Sequence, residues 1–292
     1  MSVHIDNEGR RVVEAMVDVP GTPDEVWRAI ATSRGISSWF VPTSLDEHTG
    51  GHTTSRFGPE MDAESRITVW NPPRNYTAES GEGLAKVVTE WIVEPRNGRI
   101  CMVRVVHRWF ADTDDQDATY EGHVYGWEVS YFRLLDLYLQ HFSGMACTAV
   151  QLTAFSDFPG PKTWRTLKQS LKIDTRNGRI HSASTAPELS GKVIPVNIED
   201  PELLRIRKTA PIIAAAREGM DGEEPELILQ LDRPTPGLAH MMILPMEAQT
   251  LVSVRFHFFG SQSGSIAATA ELDWKAWLSG HFAPEVSAQK IN

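Results

Sequence analysis

The residues best suited to chemistry are large aromatic side chains and one histidine that could share an interior surface. If residues 122–142 form a helix, Trp127, Tyr131 and Tyr138 lie on one stripe with Leu134 among them. Indole and phenol rings offer flat apolar faces with one polar group each, so they stack well on planar ligands. The stripe is typical of either a ligand-binding wall or a filled aromatic core.

His107 is the ionisable candidate nearest to this stripe. Strand alternation that turns Arg104 and Arg108 to solvent puts His107 and Trp109 on the inner face. Trp91 faces the same way on the preceding predicted strand. An imidazole among apolar neighbours could orient a ligand carbonyl, or serve as the acid or base of an enzyme. A core histidine with a satisfied hydrogen bond is the alternative.

Two more aromatic residues, Trp39 and Phe40, lie in a short second predicted helix and could plug one end of the sheet. The candidate ligand-binding residues are therefore Trp39, Trp91, His107, Trp109, Trp127, Tyr131, Leu134 and Tyr138. If the protein is an enzyme, His107 is its candidate catalytic residue.

The sequence offers little for metal chemistry. The aspartates within 112–117 resemble a calcium loop, but its sixth and twelfth positions are Asp117 and His123 instead of Gly and Glu. His48 and His52 stand four apart, yet the two glycines between them favour a loop over a zinc-binding helix. HExxH, GxSxG and GxxxxGK[ST] motifs are absent. We expect no metal and no cofactor.

The composition and charge of the chain narrow the class of protein further. The chain has 292 residues, 41% of them hydrophobic, with nine tryptophans and only two cysteines. Residues 1–150 carry a net charge of −9 and the remainder −1, which argues against nucleic acid because phosphate contacts need clustered Lys and Arg. No apolar run approaches the ~20 residues of a membrane span, and the N-terminus does not resemble a secretion signal. We expect a cytoplasmic protein with free thiols and no membrane insertion.

The first half predicts a sheet framed by helices. Residues 11–19 alternate as a strand, and Thr22 then caps a helix with Pro23 at its first position and Glu25 three residues after the cap. Strand patterns follow at 52–58, 64–70, 75–80, 85–94 and 99–110. The last two are joined by a Pro-Arg-Asn-Gly turn, a strong hairpin signal. A long helix over 125–142 ends the unit.

The second half repeats this plan in weaker form. A strand at 146–157 precedes a Pro-Gly turn and a helix with Trp164-Arg165, which matches Trp27-Arg28 in the first half. Strands at 226–232, 238–245 and 250–259 and a last helix ending near 282 complete the second half. The helix that starts at Asp200 must kink or split at Pro211. We predict domains at 1–144 and 145–292, the second degenerate, with Trp274, Trp277, His281, Phe256 and Phe258 in its solid core or in interdomain packing.

These motifs resemble the START-like helix-grip superfamily (SRPBCC), most closely the subgroup named for homologues of the Hsp90 ATPase activator. The likeness rests on TPDEVW, GISSWF, FGPE, a Trp-Asn-Pro-Pro strand end, the TEW and VRVVH strands and a Gly-Trp helix start. It is good over 11–142 and weak over 146–282. It implies an α+β fold of two tandem helix-grip domains, each a curved antiparallel sheet wrapped around a long C-terminal helix, with a cavity between them. Trp39 and Phe40 resemble the lid region of the family. Tandem members resemble proteins of polyketide and enediyne biosynthesis and self-resistance.

Three functions are consistent with this resemblance, because a fold of this kind does not determine activity. The first is binding, carrying or sequestering a hydrophobic or polycyclic small molecule, such as a polyketide-type product, in the first domain. The second is a cyclase or aromatase with His107 as acid or base. The third is a co-chaperone-like interaction module, which we favour least because members of the subgroup generally lack the partner-binding domain of its namesake.

Overall fold

The computed structural model describes residues 2–7, 9–83, 86–109, 122, 124–174, 177–246 and 248–282. The chain forms two compact units that are interleaved in sequence. The first contains residues 1–57, 62–144 and 198–210, and the second contains 58–61, 145–197 and 211–292. The predicted domain limits at 144 and 145 stay a prediction.

The first unit is built around one antiparallel sheet. Its elements in chain order are β1 (Ser2–Ile5), β2 (Arg11–Pro20), α1 (Pro23–Ala31), α2 (Ser33–Ile36), β3 (Thr43–Leu45), β4 (His52–Arg56), β5 (Asp62–Asn71), β6 (Asn75–Ser80), β7 (Val87–Pro95), β8 (Ile100–Trp109), a π-helical turn (Gly126–Tyr131) and α3 (Phe132–His141). The strand order is β1-β2-β8-β7-β6-β5-β4-β3. The first long strand thus pairs with the last one, which brings the chain back to where the closing helix begins.

Local sequence signals determine how α1 starts. The Thr22 side chain accepts a hydrogen bond from the Glu25 N–H, and the Glu25 carboxylate accepts one from the Thr22 N–H, so the predicted capping box is confirmed. These hydrogen bonds lower the pKa of Glu25. The inward-facing residues Val26, Trp27 and Ile30 are buried, as the helical pattern predicts.

A glycine allows α2 to lie directly against α1. A Cβ atom at Gly35 would lie 1.8 Å from the Arg28 carbonyl oxygen, so no larger residue fits without movement of the backbone. The close approach matters for the site because Trp39 and Phe40 follow α2 directly.

The closing helix departs from its predicted geometry. Residues 126–131 form a π-helical turn in which the Phe132 N–H donates to the Trp127 carbonyl, five residues back. The helix is α at Val124 and Tyr125, before this turn, and again from Phe132 to His141. The turn places the rings of Trp127 and Phe132 5.5 Å apart. π-Helical turns are rare in proteins, and those that occur are often found at functional sites.

The second unit repeats the plan. Its elements are β9 (Cys147–Ser156), α4 (Gly160–Ser170), β10 (Leu171–Asp174), β11 (Arg179–Ser182), β12 (Ser190–Ile194), α6 (Pro211–Arg217), β13 (Glu226–Arg233), β14 (Gly237–Pro245), β15 (Thr250–Phe259) and α7 (Ser263–His281). The sheet order is β10-β11-β12-β13-β14-β15-β9, so here too the first strand pairs with the last. The helix α5 (Pro201–Thr209), which belongs to the first unit, ends just before Pro211, which confirms the predicted break.

The inner face of the second sheet is a packed hydrophobic core. Phe256 and Phe258 stack at 5.4 Å, and Trp274 lies 5.3 Å from Phe256 and 5.6 Å from Trp277. These four residues are buried in one cluster, so their predicted core position is confirmed. His281 stacks on Trp277 at 4.1 Å but is exposed. Together the two units are α+β helix-grip folds in tandem.

Both cysteines, Cys101 and Cys147, are free thiols. Within the described ranges, no helix combines the length and apolar character needed to cross a bilayer. The cytoplasmic location stays a prediction.

Candidate functional site

The site begins with the pairing of β7 and β8. Antiparallel register sets Trp91 opposite Val105 and Thr89 opposite His107, so these side chains share one face of the sheet. On the other face Arg108 pairs with Glu90 at 3.2 Å. Arg104 pairs with Glu94 at 3.3 Å. These ion pairs agree with the predicted outward direction of the two arginines.

His107 is held from both sides by side chains. The Trp127 indole nitrogen lies 2.8 Å from His107 Nε2, and Thr89 Oγ1 lies 2.9 Å from His107 Nδ1. An indole N–H can only donate, so Nε2 is the acceptor and the proton of the neutral ring sits on Nδ1, which donates to Thr89. The arrangement fixes one tautomer of a neutral imidazole.

Thr89 was not among the candidate site residues. A threonine in an alternating strand is an ordinary strand residue, and its partner His107 is 18 positions away. The signal that could have found it is the register of the predicted hairpin, which sets Pro95 opposite Cys101 and continues to Thr89 and His107. Extending the pairing outward from the turn would have placed the hydroxyl beside the ring.

Trp127 is the centre of an aromatic cluster. Its ring stacks on Phe40 at 5.4 Å with an interplanar angle of 12°. It meets Trp91 edge-on at 5.2 Å and lies 5.2 Å from Tyr131. Phe40 also contacts Phe57 at 5.6 Å. Phe40 and Phe57 are therefore members of the cluster that were missing from the candidate list.

Trp39 lies behind this cluster and belongs to the interior. It is fully buried, its indole N–H donates to the Ala29 carbonyl at 2.9 Å, and its ring meets Trp91 at 6.1 Å. Tyr76 stacks on the other side of Trp91 and donates to the Ile30 carbonyl. Burial raises the pKa of the Tyr76 hydroxyl. With its polar group satisfied, Trp39 acts as part of the packed base of the site.

The remaining candidates divide by position. Leu134 and Tyr138 are buried on α3, seven and eleven residues after Trp127. Trp109 lies 5.4 Å from His107 and is half-buried, and Tyr131 is half-buried too. The structure thus brings His107, Trp109, Trp127, Tyr131 and Trp91 together. Leu134 and Tyr138 lie farther along the helix.

The half-buried residues of this group define what we call the aromatic mouth, formed by Phe57, Thr89, His107, Trp109 and Tyr131. The mouth combines flat apolar rings with a hydroxyl and an imidazole on one surface. Deeper in, the rings of Phe40, Trp91 and Trp127 contact one another directly. The deeper rings therefore pack on one another, and the half-buried residues of the mouth are the accessible part of this cluster.

Metal binding was considered for the described residues. Within the described ranges no group of three or more His, Cys, Asp or Glu side chains could hold a metal ion. The aspartates of 112–117 lie outside the described residues.

Comparisons with known proteins give a fold likeness only. No family model matches the chain, and no curated protein matches it. BexL, a di-domain ARO/CYC from the BE-7585A biosynthetic pathway, is 14% identical, with 94% of this chain and 100% of that chain covered and a TM-score of 0.42. DynU16, encoded in the dynemicin biosynthetic locus, is 17% identical over 92% of this chain and 96% of its own, with a TM-score of 0.40. CalU16 from Micromonospora echinospora is 20% identical over 48% of this chain and 83% of its own, with a TM-score of 0.38.

Likeness at this level assigns neither a ligand nor a reaction to the chain. The subgroup of Hsp90-activator homologues and the chaperone partner stay predictions.

Proposed function

We propose that the protein binds a flat, largely apolar small molecule at the aromatic mouth of its first unit and releases it unchanged. One observation carries the proposal: the neutral His107 ring, oriented by Thr89 and Trp127, lies beside the half-buried ring of Trp109. Small-molecule sites combine apolar and aromatic walls with a few convergent polar groups.

The ligand class follows from the chemistry of the mouth. Trp109 and Tyr131 offer ring faces, so the ligand needs a fused aromatic or similarly planar body. The Thr89 hydroxyl and the Tyr131 phenol can exchange hydrogen bonds with carbonyl or hydroxyl groups on its edge. A polycyclic, oxygenated compound of the polyketide type meets both requirements.

The available contacts are sufficient for useful affinity. Stacking contributes about 0.5–1.5 kcal/mol per ring pair beyond burial. Removing ~250 Å² of apolar surface from water contributes roughly 6 kcal/mol at 25 cal/mol per Å². Micromolar binding needs about 8 kcal/mol, so two or three ring contacts with burial reach that range before ordering costs are subtracted.

The test uses 1,8-dihydroxyanthraquinone, a planar probe with an oxygenated edge. We expect it to quench tryptophan fluorescence and raise the Tm of the wild-type protein. Trp109→Ala should weaken binding by about tenfold, because it removes a ring face at the mouth. Trp70→Phe is the matched control: Trp70 is half-buried in the same unit, but its ring contacts Trp27 and Tyr76 and lies outside the aromatic cluster.

Two results would contradict the proposal. One is the absence of both quenching and thermal shift across a panel of planar probes. The other is an equal loss of affinity in Trp109→Ala and Trp70→Phe, which would place the probe elsewhere.

A cyclase or aromatase is the alternative that the position of His107 favours. As a base, His107 would have to give up the hydrogen bond from Trp127, because that bond occupies the Nε2 lone pair. The enzyme hypothesis predicts conversion of a polyketide-like substrate that disappears in His107→Ala while binding persists. The binding proposal predicts no conversion in either protein.

A further inference from the structure

The second unit contains a groove beside its closing helix that the proposed function does not use. It encloses about 290 Å³, close to the lower end of the range for ligand pockets. Its lining residues are Pro187, Glu188, Pro234, Ser265, Ile266, Thr269, Ala270, Asp273 and Trp274.

One wall of the groove is a flank of α7. Its residues recur at spacings of one and four, from Ser265 and Ile266 to Asp273 and Trp274, so they form a continuous surface along the helix. The facing wall comes from the loop before β12 and the turn after β13, which supply two prolines. The groove therefore lies between one flank of a helix and two connecting segments of the sheet.

The floor of the groove is apolar. Ile266 is half-buried, and Ala270 and Trp274 are buried against the hydrophobic core. Trp274 is only 1% exposed and is braced by Phe256 and Trp277, so it fixes the position of the floor without offering a ring face. A ligand body on this floor needs to be apolar.

The rim of the groove is negative. Asp273 is exposed and forms no salt bridge among the described residues. Glu188 lies 3.5 Å from the Arg233 guanidinium, and both side chains are largely exposed, so this pair is weak. The lining contains no Lys or Arg. A cation is the complement of two carboxylates above an apolar floor.

We infer that this groove binds an amphiphilic cation: a small molecule with a protonated amine on an apolar ring system. The amine lies between Asp273 and Glu188, and the ring system lies on Ile266 and Ala270, above the buried Trp274.

The experiment compares three naphthalene probes that share the ring system and carry substituents of different charge. 1-Naphthylmethylamine is cationic, 1-naphthalenemethanol is neutral and the anion of 1-naphthaleneacetic acid is negative. NMR titration of the full-length protein measures each Kd. We expect the cation to bind about tenfold more tightly than the anion, with the neutral probe between them, and the difference to shrink in high salt.

Single substitutions then test whether Asp273 and Glu188 are the carboxylates that bind the amine. Asp273→Asn and Glu188→Gln should each weaken the cation about threefold and leave the neutral probe unchanged. Arg233→Gln should tighten the cation about twofold, because it removes a competing guanidinium. Glu271→Gln is the matched control: it removes one exposed carboxylate from the same helix but does not line the groove, so its effect should stay below about 1.5-fold.

Equal affinity for the three probes, or equal losses in Asp273→Asn and Glu271→Gln, would overturn the inference. So would the lack of any cation binding at millimolar concentration. The outcome is independent of the proposed function, since Trp109→Ala should not alter cation binding and Asp273→Asn should not alter anthraquinone binding.

Discussion

The indole N–H of Trp127 donates to His107 Nε2 across 2.8 Å, which connects the π-helical turn to the sheet. The same indole stacks on Phe40, so one side chain links the closing helix, the sheet and the segment after α2. The Trp127 side chain therefore connects the three elements that surround the aromatic mouth.

Substitutions of Trp127 and His107 should have non-additive effects on the free energy of unfolding, because the two residues share this hydrogen bond. We expect Trp127→Phe and His107→Phe to lower the free energy of unfolding and the double variant to lower it by about 1 kcal/mol less than the sum. Urea unfolding of the four proteins measures the coupling. Losses that add within ~0.3 kcal/mol would show that the bond contributes nothing.

Trp127 should control the tautomer of His107. Trp127→Phe removes the N–H that donates to Nε2, so the Nε2–H form is no longer excluded, whereas the Thr89 hydroxyl can accept from or donate to Nδ1. We expect imidazole ¹⁵N spectra to show the Nδ1–H tautomer alone in the wild type and in Thr89→Ser, and a mixture of both neutral tautomers in Trp127→Phe. A wild-type spectrum with the proton on Nε2 would refute the assignment.

Glu128 should make stability depend on pH. Burial raises the pKa of its carboxyl, and the Asp200 carboxylate adds to this, against the hydrogen bond donated by the Met16 N–H. Between the ordinary and the raised pKa the folded state binds more protons, so stability falls as pH rises through that window.

Glu128→Gln retains an oxygen that accepts from Met16 and removes the charge. We therefore expect a higher Tm than the wild type at about pH 7–8, with the difference vanishing towards pH 4. Glu64→Gln, at an exposed position of β5, controls for the lost negative charge. A Tm difference that stays constant from pH 4 to pH 8 would refute this assignment.

Gly35 should be intolerant of any side chain. Gly35→Ala places a Cβ against the Arg28 carbonyl, so α2 must move away from α1, at a cost of at least ~2 kcal/mol in unfolding free energy. Gly280→Ala is the control, since its Cβ meets nothing within 4 Å and alanine favours the helix by roughly 0.5–1 kcal/mol. Chemical denaturation of both variants checks the expectation, and a neutral Gly35→Ala would contradict it.

Much of the fold is encoded locally and was predictable. The capping box at Thr22, the hairpin between β7 and β8 and the break at Pro211 all follow from residues within a few positions of each other. Five short strands were not predicted from the sequence: β1, β3, β10, β11 and β12. Each has only three to five residues, which is too few for a recognisable alternation of polar and apolar residues, so they form because they pair with neighbouring strands.

The site was predictable only in part. The aromatic stripe on the closing helix is a local pattern, but the π-helical turn is not, because the apolar run around Trp127 fits either helix. The contact between Phe40 and Trp127 joins residues 87 positions apart, and no local periodicity encodes it. The ring partners of each residue depend on long-range packing.

The placement of residues 198–210 in the first unit has a consequence for how the chain folds during synthesis. Leu203, Ile206 and Ala210 are buried, yet they follow the strands β9 to β12 of the other unit. The ribosome must therefore deliver half of the second sheet before the first unit has its last helix. The first unit can therefore complete its fold only after several strands of the second unit have been synthesised.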